Sequence, residues 1–95
     1  MTPRFIIADA RDNVAVAISN LPAGAPLRDG LAASEAIPAG HKIALRSIKR
    51  GDPVIKLGQP IGIATDAIAS GAHVHSHNLH FSRGDVAGEI GIDLR

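Results

Sequence analysis

The stretch Ile37-Pro-Ala-Gly40-His-Lys-Ile43 contains a pattern that recurs along the chain: an aliphatic residue, two others, a glycine, two others and a second aliphatic residue. Glycine adopts backbone conformations that other residues avoid, so the pattern predicts a tight turn that leads into a buried strand. Three further stretches fit it: Leu21-Pro-Ala-Gly24-Ala-Pro-Leu27, Ile48-Lys-Arg-Gly51-Asp-Pro-Val54 and Ile68-Ala-Ser-Gly71-Ala-His-Val74. The spacings between the copies differ, so the chain is not a solenoid with a fixed period.

Short strands fit around these turns, and no apolar pattern of helical period lasts long enough for a substantial helix. Ten glycines and six prolines interrupt the chain. We therefore predict an all-β fold with at most one or two helical turns, one of them at residues 67–69 with Thr65 or Asp66 as its cap. The predicted strands are residues 5–8, 14–18, 42–45, 54–56, 61–64 and 73–77.

Length and composition limit both the core and the function. A chain of 95 residues forms one domain at most, and a domain of this size buries only about two-thirds of the surface that it exposes when unfolded. Because Phe5 and Phe81 are the only Phe, Tyr or Trp residues, the core must be aliphatic, and the shortage of aromatic faces argues against a base-stacking platform. The net charge of +1, with scattered cations, also argues against nucleic acid as a partner. The expected core residues are Val14, Val16, Ile18, Ile43, Leu45, Val54, Ile61, Ile63 and Val74.

The sequence contains no cysteine, so disulfides and thiolate chemistry are excluded and any metal must be held by nitrogen or oxygen ligands. The first residues lack the apolar run of a signal peptide, and no stretch approaches the length of a membrane span. We therefore expect a cytoplasmic protein with no membrane partner.

Three of the five histidines alternate in Gly71-Ala-His-Val-His-Ser-His-Asn78. On an extended strand, alternate side chains share one face about 7 Å apart, which would put His73, His75 and His77 together and turn Val74 to the core. Imidazoles in this arrangement are suited to zinc, iron or nickel. The alternative is a solvated strand end without metal, because strand twist can separate alternate residues too far to share an ion.

A second candidate group follows the turn at Gly40. A neutral His41 can carry a proton, and Lys42 can neutralise the carboxylate of a substrate. The alternative is a capped turn residue and a solvated surface lysine. Lys56 lies between aliphatic neighbours and is more simply the outward residue of an ordinary strand.

The residues that carry a resemblance to a known family are Asn13-Val-Ala-Val-Ala17, Ile37-Pro-Ala-Gly-His-Lys-Ile-Ala-Leu45, Val54-Ile-Lys-Leu-Gly-Gln-Pro-Ile-Gly62 and the histidine stretch that ends at Asn78. In this order they resemble the N-terminal SAF domain of the altronate and galactarate dehydratase family. The resemblance covers roughly residues 5–78. It implies a small β-clip fold and a role in removing water from an aldonate or aldarate to give a 2-keto-3-deoxy acid.

The same resemblance implies a hydro-lyase subunit that is inactive alone. In that family the SAF unit is fused to a large catalytic domain or is made as a separate chain, as in the related sulfolactate sulfo-lyase. Because this sequence stops at Arg95, we expect a small subunit that binds a large dehydratase subunit or associates with itself. Residues 1–78 are predicted to form the SAF domain, and residues 79–95 a tail or edge segment that contacts the partner.

The resemblance also implies a divalent cofactor, Fe²⁺ or alternatively Mn²⁺, which would stabilise the enediolate and assist the leaving hydroxide. We predict His73, His75 and His77 as metal ligands and His41 with His75 as catalytic residues. Lys42 and Asn78 are predicted to bind the substrate, and Asn78 would do so by hydrogen-bonding the hydroxyl groups of the substrate. Three alternatives stay open: a sulfo-lyase subunit, a stand-alone carbohydrate-binding module and a metal-storage protein.

Overall fold

The computed structural model of the chain describes residues 4–28 and 30–81, which contain nine short strands and no helix. The all-β prediction is thereby confirmed. The strands are β1 (Phe5–Ile6), β2 (Val14–Ala17), β3 (Pro26–Arg28), β4 (Leu31–Ala32), β5 (Lys42–Ala44), β6 (Pro53–Lys56), β7 (Gln59–Ala64), β8 (His73–Val74) and β9 (Leu79–Phe81). The predicted helical turn at residues 67–69 is wrong, because Ile68 forms an antiparallel bridge with Ile48 instead.

The strands form three antiparallel sheets. The largest has the order β1-β2-β5-β8, the second joins β6, β7 and β9, and the third is the hairpin of β3 and β4. In the largest sheet, strands that are far apart in the sequence lie side by side, with Ala15 opposite Ile43 and Ile43 opposite His73. No helix in the described part of the chain is long and apolar enough to cross a membrane.

The four repeated stretches all form the predicted turn. In each, the glycine has a positive φ of 83–89°, and the residue after it donates a backbone hydrogen bond to the carbonyl three positions earlier. This is the geometry of a type II turn, in which the third position favours glycine. The hydrogen-bonded pairs are Ala25 with Pro22, His41 with Pro38, Asp52 with Lys49 and Ala72 with Ala69.

The turns are organised as two similar halves. An isolated bridge pairs Leu21 with Ile37 in the first half, and another pairs Ile48 with Ile68 in the second. The Gly40 amide donates to the Ala17 carbonyl, just as the Gly71 amide donates to the Ala44 carbonyl, both at short distances. The two halves therefore share strand β5, which pairs with β2 of the first half on one side and with β8 of the second half on the other.

The core consists of two aliphatic clusters, one around Val54 and Val74 and the other around Leu21 and Ile43. Five of the nine expected core residues are buried, namely Val14, Ile43, Leu45, Val54 and Val74, and Val16 and Ile61 are partly buried. The prediction is wrong for Ile18 and Ile63, which are 42% and 46% exposed. Ile18 lies just beyond the end of β2, and Ile63 alternates with the inward-facing Gly62 and Ala64.

Two strands differ from the prediction at the C-terminal end of the described chain. The strand predicted at residues 73–77 ends at Val74, because the following residues form a turn. Leu79 begins the unpredicted β9, which pairs with β7, and its side chain is buried in the core. Residues 82–95, which hold most of the predicted tail, lie outside the described residues.

Candidate functional site

Three histidines from two distant stretches of the chain, one after the Gly40 turn and two after the Gly71 turn, meet on one face of the sheet at strands β5 and β8. Lys42 lies opposite Val74 and Ile43 opposite His73, so the same register puts His41 opposite His75. His73 and His75 alternate with Val74, which is fully buried on the other face. The sequence prediction of a shared histidine face is therefore met at His73 and His75, and His41 joins them across the sheet.

The three imidazoles are in contact with one another. The ring centroids of His41 and His75 lie 3.9 Å apart and those of His41 and His73 4.9 Å apart. The Nδ1 atom of His41 lies 2.7 Å from Nε2 of His73, at hydrogen-bonding distance. One ligand nitrogen from each of His41, His73 and His75 lies within 4.8 Å of the others. We call these three residues the histidine cluster.

His77 lies beside the histidine cluster. Because β8 ends at Val74, His77 belongs to the turn that follows, where its ring centroid is 5.0 Å from that of His73 and its plane is tilted by 42°. Its role as a metal ligand stays a prediction. The fifth histidine of the chain, His80, is exposed on β9 opposite Ile63.

The backbone around His41 is fixed on both sides. Its amide donates to the Pro38 carbonyl within the type II turn, and its carbonyl accepts from the Ala17 amide at 2.9 Å. The Gly40 amide donates to the Ala17 carbonyl at 2.8 Å. The turn predicted at Gly40 therefore delivers His41 to the start of β5 with little conformational freedom.

Asn78 holds the other two histidines of the cluster. Its side-chain Oδ1 accepts from the His75 amide at 2.9 Å, and its Nδ2 donates to the His73 carbonyl at 2.9 Å. The side chain is buried, and its own amide donates to the His75 carbonyl. These bonds give Asn78 a structural role in shaping the turn, and its contact with substrate hydroxyls stays a prediction.

The sequence analysis missed Glu35, which lies at the edge of the histidine cluster. Its Oε2 atom accepts a hydrogen bond from the His73 amide at 3.1 Å, across 38 positions in the sequence. No local pattern marks this contact, because it arises where the segment before Ile37 runs past the outer edge of β8.

The electrostatic surroundings keep two of the imidazoles neutral near pH 7. Desolvation of the His73 ring lowers its pKa below the ordinary value of 6.5. The positive charges of His77, His41 and His75 lower this pKa further, and the Glu35 carboxylate raises it. Loss of solvent also lowers the pKa of His75, followed by the charges of His41, Lys42 and His77. A neutral imidazole has a free lone pair, which is the form that binds metal or accepts a proton.

Lys42 follows His41 in the chain and is half-buried, and its pairing with Val74 puts it on the face of the sheet opposite the histidine cluster. Its Nζ atom lies 5.6 Å from the centre of the Phe81 ring. Burial lowers the pKa of Lys42, and the charge of Lys56 lowers it further. The ion pair found among the described residues joins Arg11 to Asp9, not Lys42 to a carboxylate. A half-buried ammonium beside a second lysine is suited to receive an anionic group.

The donor set of the histidine cluster fits a divalent transition metal. Two nitrogens that bind one ion can be at most about 4.2 Å apart, since metal–nitrogen bonds are about 2.1 Å long. The three nitrogens of the cluster lie within 4.8 Å of one another, which is close to that value. Small side-chain rotations would therefore bring them close enough to share one ion. Imidazole donors favour iron, zinc, nickel and copper over magnesium and calcium.

Comparison with known proteins places the chain in a family. The profile of the altronate/galactarate dehydratase SAF domain matches residues 3–82. The chain belongs to this family. The resemblance predicted from the sequence is thereby confirmed, and the matched residues of the SAF domain include every member of the histidine cluster.

Curated relatives agree with this assignment. The SAF domain is 40% identical over 86 residues to altronate dehydratase of Escherichia coli and 38% identical over 85 residues to altronate dehydratase of Bacillus subtilis. These alignments cover 87% and 86% of this chain but only 17% of either relative. A third relative, (2R)-sulfolactate sulfo-lyase subunit alpha of Chromohalobacter salexigens, is 33% identical over 93 residues, which cover 87% of this chain and 99% of that subunit.

Proposed function

We propose that the chain is the small subunit of a divalent-metal-dependent sugar-acid dehydratase. The enzyme would remove water from an aldonate or aldarate and release a 2-keto-3-deoxy acid. The observation that carries the proposal is the meeting of His41, His73 and His75 on one face of the domain, in a chain whose family is that of altronate and galactarate dehydratases. A relative that is itself a subunit and aligns over 99% of its length supports the two-chain organisation.

The reaction needs groups of the kind that this site contains. A base takes the proton from C2, the hydroxyl group on C3 leaves with a proton as water, and the resulting enol becomes the 2-keto acid. A divalent cation held by the histidine cluster, Fe²⁺ or Mn²⁺, would stabilise negative charge on the substrate carboxylate and hydroxyl groups. The hydrogen bonds of Asn78 hold the histidine backbone in place for this task.

Lys42 is the candidate group for the carboxylate of the substrate. It is paired with Val74 and so starts from the other face of the sheet than the histidine cluster, but its charge still acts on His75. Its ammonium group is half-buried, and the ion pair found in the described part of the chain does not involve it. An incoming carboxylate would offset the repulsion between Lys42 and Lys56. Lys42 therefore contributes binding energy and orientation, whereas the proton transfers belong to histidines.

His41 and His75 each have two candidate roles, metal ligand and proton carrier, and one nitrogen atom cannot fill both roles at the same time. A histidine nitrogen that binds a cation has no free lone pair for a proton. Loss of a ligand lowers both metal content and turnover, whereas loss of a proton carrier lowers turnover and leaves the metal in place. His77 stays a candidate ligand because its ring lies against that of His73.

A second candidate function rests on the sulfo-lyase relative. The chain aligns with nearly all of the Chromohalobacter salexigens alpha subunit, so a sulfolactate-type substrate is the alternative to a sugar acid. The two substrates share a carboxylate next to a hydroxyl-bearing carbon, and they differ in the leaving group. The site described above suits both, since its cationic and imidazole groups address the shared part.

The test is reconstitution with the large catalytic chain from the same source. The two chains are co-purified with Fe²⁺ or Mn²⁺ under anaerobic conditions and offered altronate, galactarate and sulfolactate, with 2-keto acid and sulfite as readouts. We expect turnover of a sugar acid only when both chains are present. Sulfite release would favour the second function, and turnover by the large chain alone would contradict the proposal.

A further inference from the structure

Among the residues that the structure describes, side chains and not another strand take the outward backbone groups of β8. The Ala72 carbonyl accepts from the Ala44 amide of β5, so the peptide groups of the next residue, His73, face away from β5. β8 is the last strand in the order of its sheet. The Glu35 carboxylate takes the outward amide of His73, and the Asn78 side chain takes its outward carbonyl.

The segment that carries Glu35 is fixed at the same edge. The Ser34 amide donates to the Gly71 carbonyl at 2.8 Å. A side chain at position 71 would collide with the Ala32 carbonyl oxygen, which shows how closely this segment approaches the turn before β8. Glu35 therefore lies between two backbone contacts, that of Ser34 with Gly71 and the bridge of Ile37 with Leu21, although its side chain is exposed.

The second half of the domain provides an internal comparison for Glu35. The segments Ala33-Ser-Glu-Ala-Ile-Pro-Ala-Gly40 and Ala64-Thr-Asp-Ala-Ile-Ala-Ser-Gly71 have similar sequences and form equivalent turns. Asp66 occupies the position that corresponds to Glu35. In the described part of the structure, the Glu35 carboxylate hydrogen-bonds a residue of the histidine cluster, whereas no such bond is found for Asp66. The two carboxylates share a setting in the chain and differ in this contact.

We propose that Glu35 is the positioning residue of the histidine cluster. It fixes the His73 amide so that the His73 ring meets His41, and its negative charge favours a divalent cation on the three imidazoles. The second part of this inference rests on the proposed function, because it takes the cluster as a cation site. The first part does not, since it concerns the arrangement of the rings without metal.

The two contributions can be separated by substitution. Glu35→Gln keeps an oxygen that can accept from the His73 amide and removes the charge. Glu35→Ala removes both. We therefore expect Glu35→Gln to keep the ring arrangement and weaken Co²⁺ binding by roughly three- to tenfold, and Glu35→Ala to weaken it by roughly 10- to 100-fold, the range found when supporting groups around metal ligands are lost. Asp66→Asn is the matched control and should leave binding unchanged.

Two measurements on the full chain test the proposal. In the metal-free protein, ¹⁵N and ¹H NMR shifts of the His41 and His73 rings should change in Glu35→Ala and stay close to those of the parent in Glu35→Gln and Asp66→Asn. Titration with Co²⁺ alone, followed by its visible absorption, should then rank the affinities as above. Unchanged ring shifts in Glu35→Ala, or equal losses of affinity in Glu35→Gln and Asp66→Asn, would overturn the proposal.

These readouts keep the two hypotheses apart. If the parent chain binds no Co²⁺ and Glu35→Ala still shifts the His41 and His73 rings, the cation site of the proposed function fails and the positioning role of Glu35 stands. If the parent binds Co²⁺ and Glu35→Ala binds it equally well with unchanged ring shifts, the positioning role fails and the cation site stands.

Discussion

The rings of His41 and His73 are joined by a 2.7 Å contact between Nδ1 and Nε2, although 32 positions separate the two residues in the sequence. Each residue closely follows a glycine turn of the same type, and the two turns belong to different halves of the domain. The contact exists because both turns deliver their chains to neighbouring strands, β5 and β8. The candidate site thus lies at the junction of the two halves.

We predict that His75→Ala lowers turnover of the proposed two-chain enzyme by roughly a hundredfold or more, because an imidazole proposed to bind metal or carry a proton is lost. The His75 side chain is exposed, so the free energy of unfolding should change by no more than about 1 kcal/mol. Turnover, bound metal and urea unfolding are measured together. His80→Ala, which removes an exposed imidazole from β9, is the control and should change none of them. Equal activity of the two variants would make His75 a solvated surface residue.

Asn78→Ala should destabilise the protein by about 1–3 kcal/mol, because a buried amide loses its bonds to the His73 and His75 backbone. Asn13 is a matched control, since its buried side chain likewise accepts from the Ile55 amide and donates to the Pro53 carbonyl. We expect Asn13→Ala to lower the free energy of unfolding by a similar amount. Under conditions in which the variant stays folded, its Co²⁺ affinity should be unchanged. Asn78→Ala should weaken Co²⁺ binding as well. If the two variants weaken it equally, the turn held by Asn78 is not specific to the site.

The glycine turns should differ in their tolerance of a side chain. Gly24 has a φ of 87° and open space where the first side-chain carbon of another residue would lie, so Gly24→Ala should cost roughly 1–2 kcal/mol for the left-handed backbone alone. Gly71 has a similar φ of 83°, but a side chain there collides with the Ala32 carbonyl. Overpacking typically adds about 1–3 kcal/mol. Urea denaturation of both variants measures the difference, and equal stabilities would show that the Ala32 segment moves aside freely.

The hairpin between β6 and β7 contains a residue with backbone strain that a substitution can remove. Leu57 and Gly58 form its loop, with positive φ values of 56° and 73°, and Leu57 is 62% exposed. Two-residue hairpin loops of this kind favour Asn-Gly. Leu57→Asn should therefore raise the free energy of unfolding by about 0.5–1 kcal/mol, a part of the roughly 1–2 kcal/mol that the left-handed conformation costs most residues, whereas Leu57→Ala, which gains no such preference, should not. A stability of Leu57→Asn at or below that of Leu57→Ala would contradict this account.

Acid should destabilise the metal-free protein through the histidine cluster. The pKa values of His73 and His75 lie below 6.5 in the folded chain, so the unfolded chain binds more protons as the pH falls through this value. The free energy of unfolding therefore declines below about pH 6.5 and stops declining below the folded pKa values. Asp9, whose pKa is lowered to about 2 by Arg11, titrates outside this window. Urea midpoints at pH 7.5 and 5.5 with a chelator should differ less for the double variant His73→Asn/His75→Asn than for the parent, and equal differences would contradict the prediction.

The glycine turns could be predicted from the sequence because their conformation is a local property. A positive φ at Gly24 or Gly40 depends on the absence of a side chain at that residue, and the flanking aliphatic residues indicate where the chain is buried. Burial of Val74 followed from simple alternation. The hairpin of β3 and β4 was missed because its strands have three and two residues, which is too short for an alternating pattern to stand out.

The site was predicted only in part because its contacts depend on register. Alternation placed His73 and His75 on one face, but the pairing of His41 with His75 is fixed by the alignment of β5 and β8. The end of β8 depends on the Asn78 side chain, which takes backbone groups that another strand would otherwise use. The contact of Glu35 with His73 is equally non-local. Local sequence patterns carry no information on such alignments.

Strand β5 has a consequence for how the chain acquires its site. Because this strand belongs to both halves, neither half can bring the three imidazoles together by itself. A fragment that lacks β2 or β8 loses the strand pairing that positions the remaining histidines. A cation that needs all three donors would thus recognise only the fully closed domain and would draw partly folded molecules toward it.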